Sequence, residues 1–274
     1  MPRNYEVSSI SYPGTDRPNE DSLLIDTDSC LLAVFDGASS ITPDLYDGQT
    51  GAYIASHIAA EVFAKTAGDF RAKAEAATNA IEAAHQKYQV DVSQIPNRFM
   101  TTVAAARVGD AEVELFQLGD SVPVVAYRNG QVETPLIYND QDADIMRRWR
   151  TLADAGRTGI RQLVAENVLE LRGNANRTFG VLNGDPAYAN FIQSKTLKIS
   201  DVATILLLTD GLFMPKSDPN EPENWQAIYD LYTAGGLEAL YAKVREVEDS
   251  DPELQIYPRY KLHDDATAIA IDFI

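Results

Sequence analysis

Cysteine is almost absent: Cys30 stands alone among 274 residues, so no intramolecular disulfide can form and nothing calls for an oxidising compartment. Histidine is nearly as scarce, and His57, His85 and His263 have no zinc-site spacing. His57 and His85 read as ordinary helix-surface or core residues. Basic residues are outnumbered, with 23 Lys and Arg against 41 Asp and Glu and a formal net charge of −18. That balance argues against a phosphate-backbone partner, which needs clustered Lys and Arg. No apolar run approaches the about 20 residues of a membrane span. The N-terminal stretch MPRNYEVSSI lacks the apolar core of a signal peptide. The expectation is a cytoplasmic protein with neither a nucleic-acid nor a membrane partner.

Apolar residues are plentiful, at 45% hydrophobic against 23% charged, enough for a sizeable core. There is no fixed-period repeat and no low-complexity linker, so residues 1–274 are expected to form a single domain. The stretch around which the rest is organised is LLAVFDGASS, residues 31–40. Its five apolar residues suit a strand buried on both faces. Asp36-Gly37 then ends it, with Asp36 at the mouth of the sheet and Gly37 letting the chain turn sharply. One Asp-Gly pair is also an ordinary turn signal. The same construction recurs, however.

Residues 5–12 alternate loosely, as an edge strand does. Residues 22–26 and 31–35 read as a hairpin. Ile54, Ile58 and Val62 with Ala55, Ala59 and Phe63 mark a helix packed on a sheet. A second, alanine-rich helix is expected over 70–90. Strands follow at 101–108, 112–118, 122–127 and 131–134, joined by tight turns. Residues 140–171 look helical, with no stripe as clean as that of the first helix, and 172–186 read as a Gly- and Asn-rich loop. Strands at 196–199 and 203–209, a helix over 223–248 and a strand at 266–273 complete the chain. Consecutive strands on short turns mean mostly antiparallel pairing. The fold class expected is α+β: a four-layer α-β-β-α sandwich of two mostly antiparallel sheets flanked by helices.

Acidic residues gather beside the strand ends. Glu20-Asp21 precedes the second strand, Gly119-Asp120-Ser121 follows the strand at 112–118, Thr209-Asp210-Gly211 follows 203–209, and Asp264-Asp265 precedes the last strand. Collected at one edge, these carboxylates would repel one another unless cations lay between them. Oxygen donors with so little His or Cys select Mg²⁺ or Mn²⁺ over zinc. Two such ions about 3.5–4 Å apart hold a bridging water, lower its pKa and clamp a phosphoryl oxygen.

The blocks RPNED, VFDG, TTVAAARV, LGDS, LLTDG and DDATAIAI, in that order from Arg17 to Ile271, resemble the signature blocks of the metal-dependent serine/threonine protein phosphatases, the PPM or protein phosphatase 2C family, in a bacterial-type single catalytic domain. The resemblance implies the same sandwich with a dinuclear Mn²⁺/Mg²⁺ centre at one edge, and a catalytic set of Asp36, Asp210 and Asp264. It implies that Asp36 bridges both ions, that the Gly37 carbonyl completes one shell, and that Asp210 and Asp264 hold the other ion. Glu20 and Asp21 would act largely through metal-bound water. Asp120 resembles the ligand of a third, weaker metal in bacterial relatives. Asp265 falls where many members carry Asn and is a supporting residue. Arg17 resembles the arginine that holds the substrate phosphate, one residue nearer the Glu-Asp pair than usual.

Two departures accompany the match. Ala38-Ser39 stands where many members have His-Gly, so leaving-group protonation would fall to a metal-bound water. The Ser-Arg-x-Leu-Gly-Asp block is represented only by residues 177–180 and 182–185. Residues 140–171 take the place of the family's variable flap, where substrate selection is expected. The implied activity is hydrolysis of phosphoserine and phosphothreonine on proteins, with a Ser/Thr kinase or its targets as partners. The alternatives are a catalytically silent phosphoprotein-binding module and a phosphatase of small phosphate esters.

Overall fold

The computed structural model describes residues 5–15, 18–38 and 44–274. Two five-stranded antiparallel sheets face each other. One has the order β1-β10-β9-β6-β7, from β1 (Tyr5–Tyr12), β10 (Ala266–Phe273), β9 (Val202–Leu208), β6 (Val122–Tyr127) and β7 (Val132–Glu133). The other has the order β2-β3-β4-β5-β8, from β2 (Ser22–Asp26), β3 (Leu31–Phe35), β4 (Val103–Val108), β5 (Glu112–Leu118) and β8 (Gln193–Lys198). The α+β sandwich expected from the strand order is the one observed.

Strand alternation divides the core into layers. Leu32, Val34, Ala104, Ala106, Val113 and Leu115 meet Val125, Ile205, Leu207, Ile269 and Ile271 between the sheets. Leu31, Ala33, Phe35, Ala105 and Phe116 point the other way, against Ala55, Ala59 and Phe63 of α1 (Gly51–Lys65) and Phe70, Ala74, Ala77 and Ile81 of α2 (Phe70–Lys87). On the far side, Leu206, Leu208, Ala268 and Ala270 pack on Ile228, Leu237, Leu240 and Val244 of α6 (Trp225–Asp249). All five residues of β3 are buried, because this strand has a partner layer on each face. Thr50 and Asp69 cap α1 and α2 by accepting from the backbone N–H groups of Tyr53 and Ala72.

Two elements differ from expectation. Residues 140–171 contain α3 (Ala143–Asp154), α4 (Ile160–Leu163) and α5 (Ala165–Gly173). α3 does carry a clean stripe, Ile145, Trp149 and Ala153 at i, i+4 and i+8, which forms a small separate core with Ile160, Val164, Leu254 and Tyr260. The stripe is short and shares the helix with Arg and Asp residues from Asp144 to Asp154, which hides it from a composition-led reading. The helix α6 is interrupted at Gly235-Gly236, where Gly236 has φ 77°, a backbone open chiefly to glycine. Among the described residues no helix is long and apolar enough to cross a membrane.

His85 is a core residue. Its Nε2 accepts the Phe99 backbone N–H at 2.8 Å, so the ring is neutral with its proton on Nδ1. Burial, with Arg98 adding, holds its pKa down at about 4. A depressed histidine pKa means that the unfolded state takes up the proton first. The stabilisation is therefore complete above about pH 6.5 and is lost as pH falls through about 4. His85→Leu should leave the Phe99 N–H unsatisfied, at a cost of about 1–3 kcal/mol at neutral pH. Urea titrations at pH 7 and pH 4.5 should show the gap to wild type narrowing in acid; a constant gap would contradict this reading.

Candidate metal centre

Strand register brings the acidic strand ends together. Phe35 pairs with Ser22 and Val103 with Leu118 in one sheet, while Leu208 pairs with both Val122 and Ala268 in the other. Glu20-Asp21, Asp36 and Asp120 therefore leave the first sheet at the end where Asp210 and Asp264-Asp265 leave the second. The β5–β6 turn crosses between the sheets at this edge, with Gly119 at φ 88° and Asp120 at its apex. A cavity of about 850 Å³ lies elsewhere, lined by Ser29, Arg107, Asp110, Glu114, Thr196 and Lys198, and none of the acids gathered at this edge lines it.

Each acid is fixed by its neighbours. The Asp36 carbonyl accepts from Thr102 N–H at 2.9 Å and Thr101 Oγ1 at 2.7 Å. Thr50 Oγ1 donates to Glu20 Oε1 at 2.6 Å, and Ser56 Oγ donates to the Glu20 carbonyl at 2.6 Å. Thr209 Oγ1 donates to Asp21 Oδ2 at 2.9 Å. Gln141 Nε2 donates to Asp120 Oδ2, while Asp120 Oδ1 is buried with no partner. Asp265 is turned to the backbone and accepts from Gly14 N–H at 2.7 Å and Glu20 N–H at 2.9 Å. It locks the first loop onto the start of β10, the supporting role anticipated for it. Lys261 Nζ donates to Asp264 Oδ1 at 2.6 Å.

The glycines are steric requirements. A Cβ on Gly37 would lie 2.4 Å from the Glu20 carbonyl oxygen and 2.8 Å from that of Ala52. On Gly211 it would lie 1.9 Å from the Asp265 carbonyl oxygen. The chain thus draws Glu20 towards Asp36 and Asp265 towards Asp210 by omitting two side chains.

Electrostatically the edge is frustrated. Burial and the charges of Asp210, Asp21, Asp120 and Asp264 hold the Asp36 pKa well above the carboxylate range. Burial, Asp264 and Asp120 do the same to Asp210, partly relieved by a hydrogen bond with Asp36. Burial, with Asp265 adding, pushes Asp21 up to about 8, and burial also raises Asp120. Asp142, just ahead of α3, joins the group: burial and Asp120 push it up to about 7, although Tyr260 Oη donates to it at 3.0 Å. Arg172, at the end of α5, offsets part of this charge at Asp120 and Asp142.

Buried carboxylates that raise one another's pKa are a field awaiting positive charge. The donors are all oxygen, and an unpartnered carboxylate oxygen is buried among them, so the residues present fit hard divalent cations. They do not form a finished shell: among the described residues no three acidic, imidazole or thiol groups converge tightly enough to hold an ion unaided. Arg17, the expected phosphate ligand, and Ser39 lie outside the described residues. Asp142, Lys261 and Gln141 escaped the sequence reading, since each reaches this edge through loop geometry and none belongs to an acidic strand end.

The protein phosphatase 2C family model matches residues 13–244. The chain belongs to the protein phosphatase 2C family. Solved structures agree on the fold. The catalytic domain of the serine/threonine protein phosphatase PstP, in complex with two manganese ions, matches with a TM-score of 0.58 at 20% identity, over 98% of this chain and 97% of that one. PstP/Ppp of Mycobacterium tuberculosis matches with a TM-score of 0.59 at 20% identity over 98% of each chain. RsbX in complex with magnesium matches at 0.54 and 13% identity, over 98% of this chain and 96% of that one. Compared with curated protein sequences, the chain has no significant match. Family membership gives the strand-end acids a common context, and manganese and magnesium are the ions bound in these relatives.

Proposed function

We propose that this protein phosphatase 2C member hydrolyses phosphoserine and phosphothreonine on proteins with the help of Mn²⁺ or Mg²⁺. The observation that carries the reading is the convergence of the half-buried Asp36 and Asp210 at the edge where both sheets end, among carboxylates that oppose the ionisation of each. Asp36, Asp210 and Asp264, with the Gly37 carbonyl, would hold two ions, Glu20 and Asp21 would act through water, and Asp120 would serve a third. The chemistry such ions supply is activation of a water as nucleophile and neutralisation of charge on the phosphoryl oxygens.

The chain's own residues supply rigidity. Thr101 and Thr102 clamp the Asp36 backbone, Thr209 orients Asp21, and Asp265 holds the Glu20 backbone, so the acids meet an ion without reorganising. The segment at about 140–171 is proposed as the flap that selects substrate, within a single domain. Its α3 is tied to the segment leading into β10: Trp149 Nε1 donates to the Leu254 carbonyl at 2.8 Å, and Arg150 to that of Gln255 at 2.7 Å. The same segment carries Asp264, so a substrate pressing on the flap bears on a ligand.

Metal-stripped protein should hydrolyse neither an aryl phosphate nor a phosphothreonine peptide, and Mn²⁺ or Mg²⁺ should restore both, with Zn²⁺ no better. Full turnover in excess chelator would overturn the reading. Turnover of small esters alone would favour the small-ester alternative, and metal binding without turnover the silent one. Arg17 is proposed to hold the substrate phosphate through a forked guanidinium contact. Such a bond is worth about 1.5–3 kcal/mol, so Arg17→Ala should lower kcat/KM on the order of 10- to 150-fold, chiefly through KM. Unchanged kcat and KM would assign the phosphate to another group.

A further inference from the structure

Asp21, Asp36, Asp120 and Asp210 make no ion pair among the described residues, whereas Asp264 makes one, with Lys261 at 2.6 Å. Lys261 lies in the segment between α6 and β10, and its side chain is only 20% exposed. Asp264 is held further: the same Oδ1 also accepts the Asp265 N–H at 2.8 Å, and its carbonyl accepts from Arg245. The charges of Asp265 and Glu20 also act on the Lys261 ammonium and, with Asp264, keep it protonated despite burial. The Lys261 ammonium is thus paired with one proposed metal ligand, Asp264, and lies in the field of a second, Glu20, and of their brace, Asp265.

Resting on the metal centre proposed above, we infer that Lys261 is a tethered cation that competes with the divalent ion on the Asp264 side. An ammonium paired with Asp264 and a divalent ion bound to it repel each other, so ion entry requires the flexible lysine stem to swing aside. Two consequences follow from charge alone. Without metal, Lys261 neutralises part of the acidic edge and stabilises the fold. With metal, the same residue weakens the position it guards, so the ion at Asp264 binds less tightly than its partner.

Calorimetric titration of Mn²⁺ into metal-stripped wild type, Lys261→Met and Lys261→Arg tests this without any turnover. Lys261→Met should bind one Mn²⁺ at least about tenfold more tightly than wild type, and Lys261→Arg, which keeps the charge, should stay near wild type. Thermal melts give a second reading that remains valid if Lys261→Met is marginal without metal. Its metal-free Tm should be lower than that of wild type, and the Mn²⁺ concentration giving half the full stabilisation should also be lower. Unchanged Mn²⁺ affinity and stoichiometry in Lys261→Met would overturn the inference. So would unchanged Mn²⁺ affinity with weakened binding of inorganic phosphate, which would make Lys261 a phosphate ligand. A wild type that binds Mn²⁺ but hydrolyses no phosphoester sinks the phosphatase reading alone, and one that binds no Mn²⁺ sinks both.

Discussion

Asp210→Asn is expected to lower kcat/KM for a phosphothreonine peptide by about 10³-fold or more, a loss of at least about 4 kcal/mol of transition-state stabilisation, while the protein stays folded. The substitution keeps the volume and removes a charge. In the metal-free protein that charge is unwelcome, since burial, Asp264 and Asp120 all oppose ionisation of Asp210. The metal-free Tm should therefore hold or rise, and the Mn²⁺-induced rise in Tm should shrink. Asp36→Asn should behave alike, because Asp36 is opposed by Asp210, Asp21, Asp120 and Asp264. Activity lost together with metal-free stability would mean that the carboxylates brace the fold. Near-normal turnover in Asp210→Asn would mean that the centre lies elsewhere.

Gly211→Ala should act on the fold itself. Its Cβ would stand 1.9 Å from the Asp265 carbonyl oxygen and 2.8 Å from the carbonyl carbon, and both belong to the residue directly ahead of β10. Asp265 cannot retreat without releasing Gly14 and Glu20, whose N–H groups its carboxylate holds. The cost should exceed about 4 kcal/mol, in the range of severe overpacking, or roughly 8–16 °C in Tm for a domain of this size. Gly173→Ala, where a Cβ meets nothing within 4 Å, is the control and should stay within about 0.5 kcal/mol. A Gly211→Ala protein as stable as that control would show that the close approach is not real.

The elements that were legible in the sequence are those whose environment is local. The run LLAVF announces a strand buried on both faces because both faces are apolar. Glu20, Asp36, Asp120, Asp210 and Asp264 can be gathered because antiparallel pairing on short turns sends each of their strand ends to one edge. What stayed hidden depends on partners far along the chain. Trp149 is a core residue only because Leu254 and Tyr260 come to it, and Asp142 joins the acidic edge because Tyr260 and Asp120 meet it there. Lys261 sits close to Asp264 in sequence, but a lysine beside an aspartate is ordinary surface chemistry until the fold half-buries the pair beside other acids. The break in α6 was written in Gly235-Gly236, yet paired glycines within an otherwise helical pattern do not say whether the helix bends or continues.

The central claim is that two divalent cations lie between the two sheets' carboxylate ends. Anomalous diffraction at the manganese edge, from crystals grown with Mn²⁺, tests it most directly. The account predicts two manganese peaks flanking Asp36, one on the Asp210–Asp264 side with Lys261 turned away from Asp264, and loss of a peak in Asp210→Asn crystals. Manganese absent from this edge, or bound with Lys261 still paired to Asp264 and Asp36 left without an ion, would contradict it.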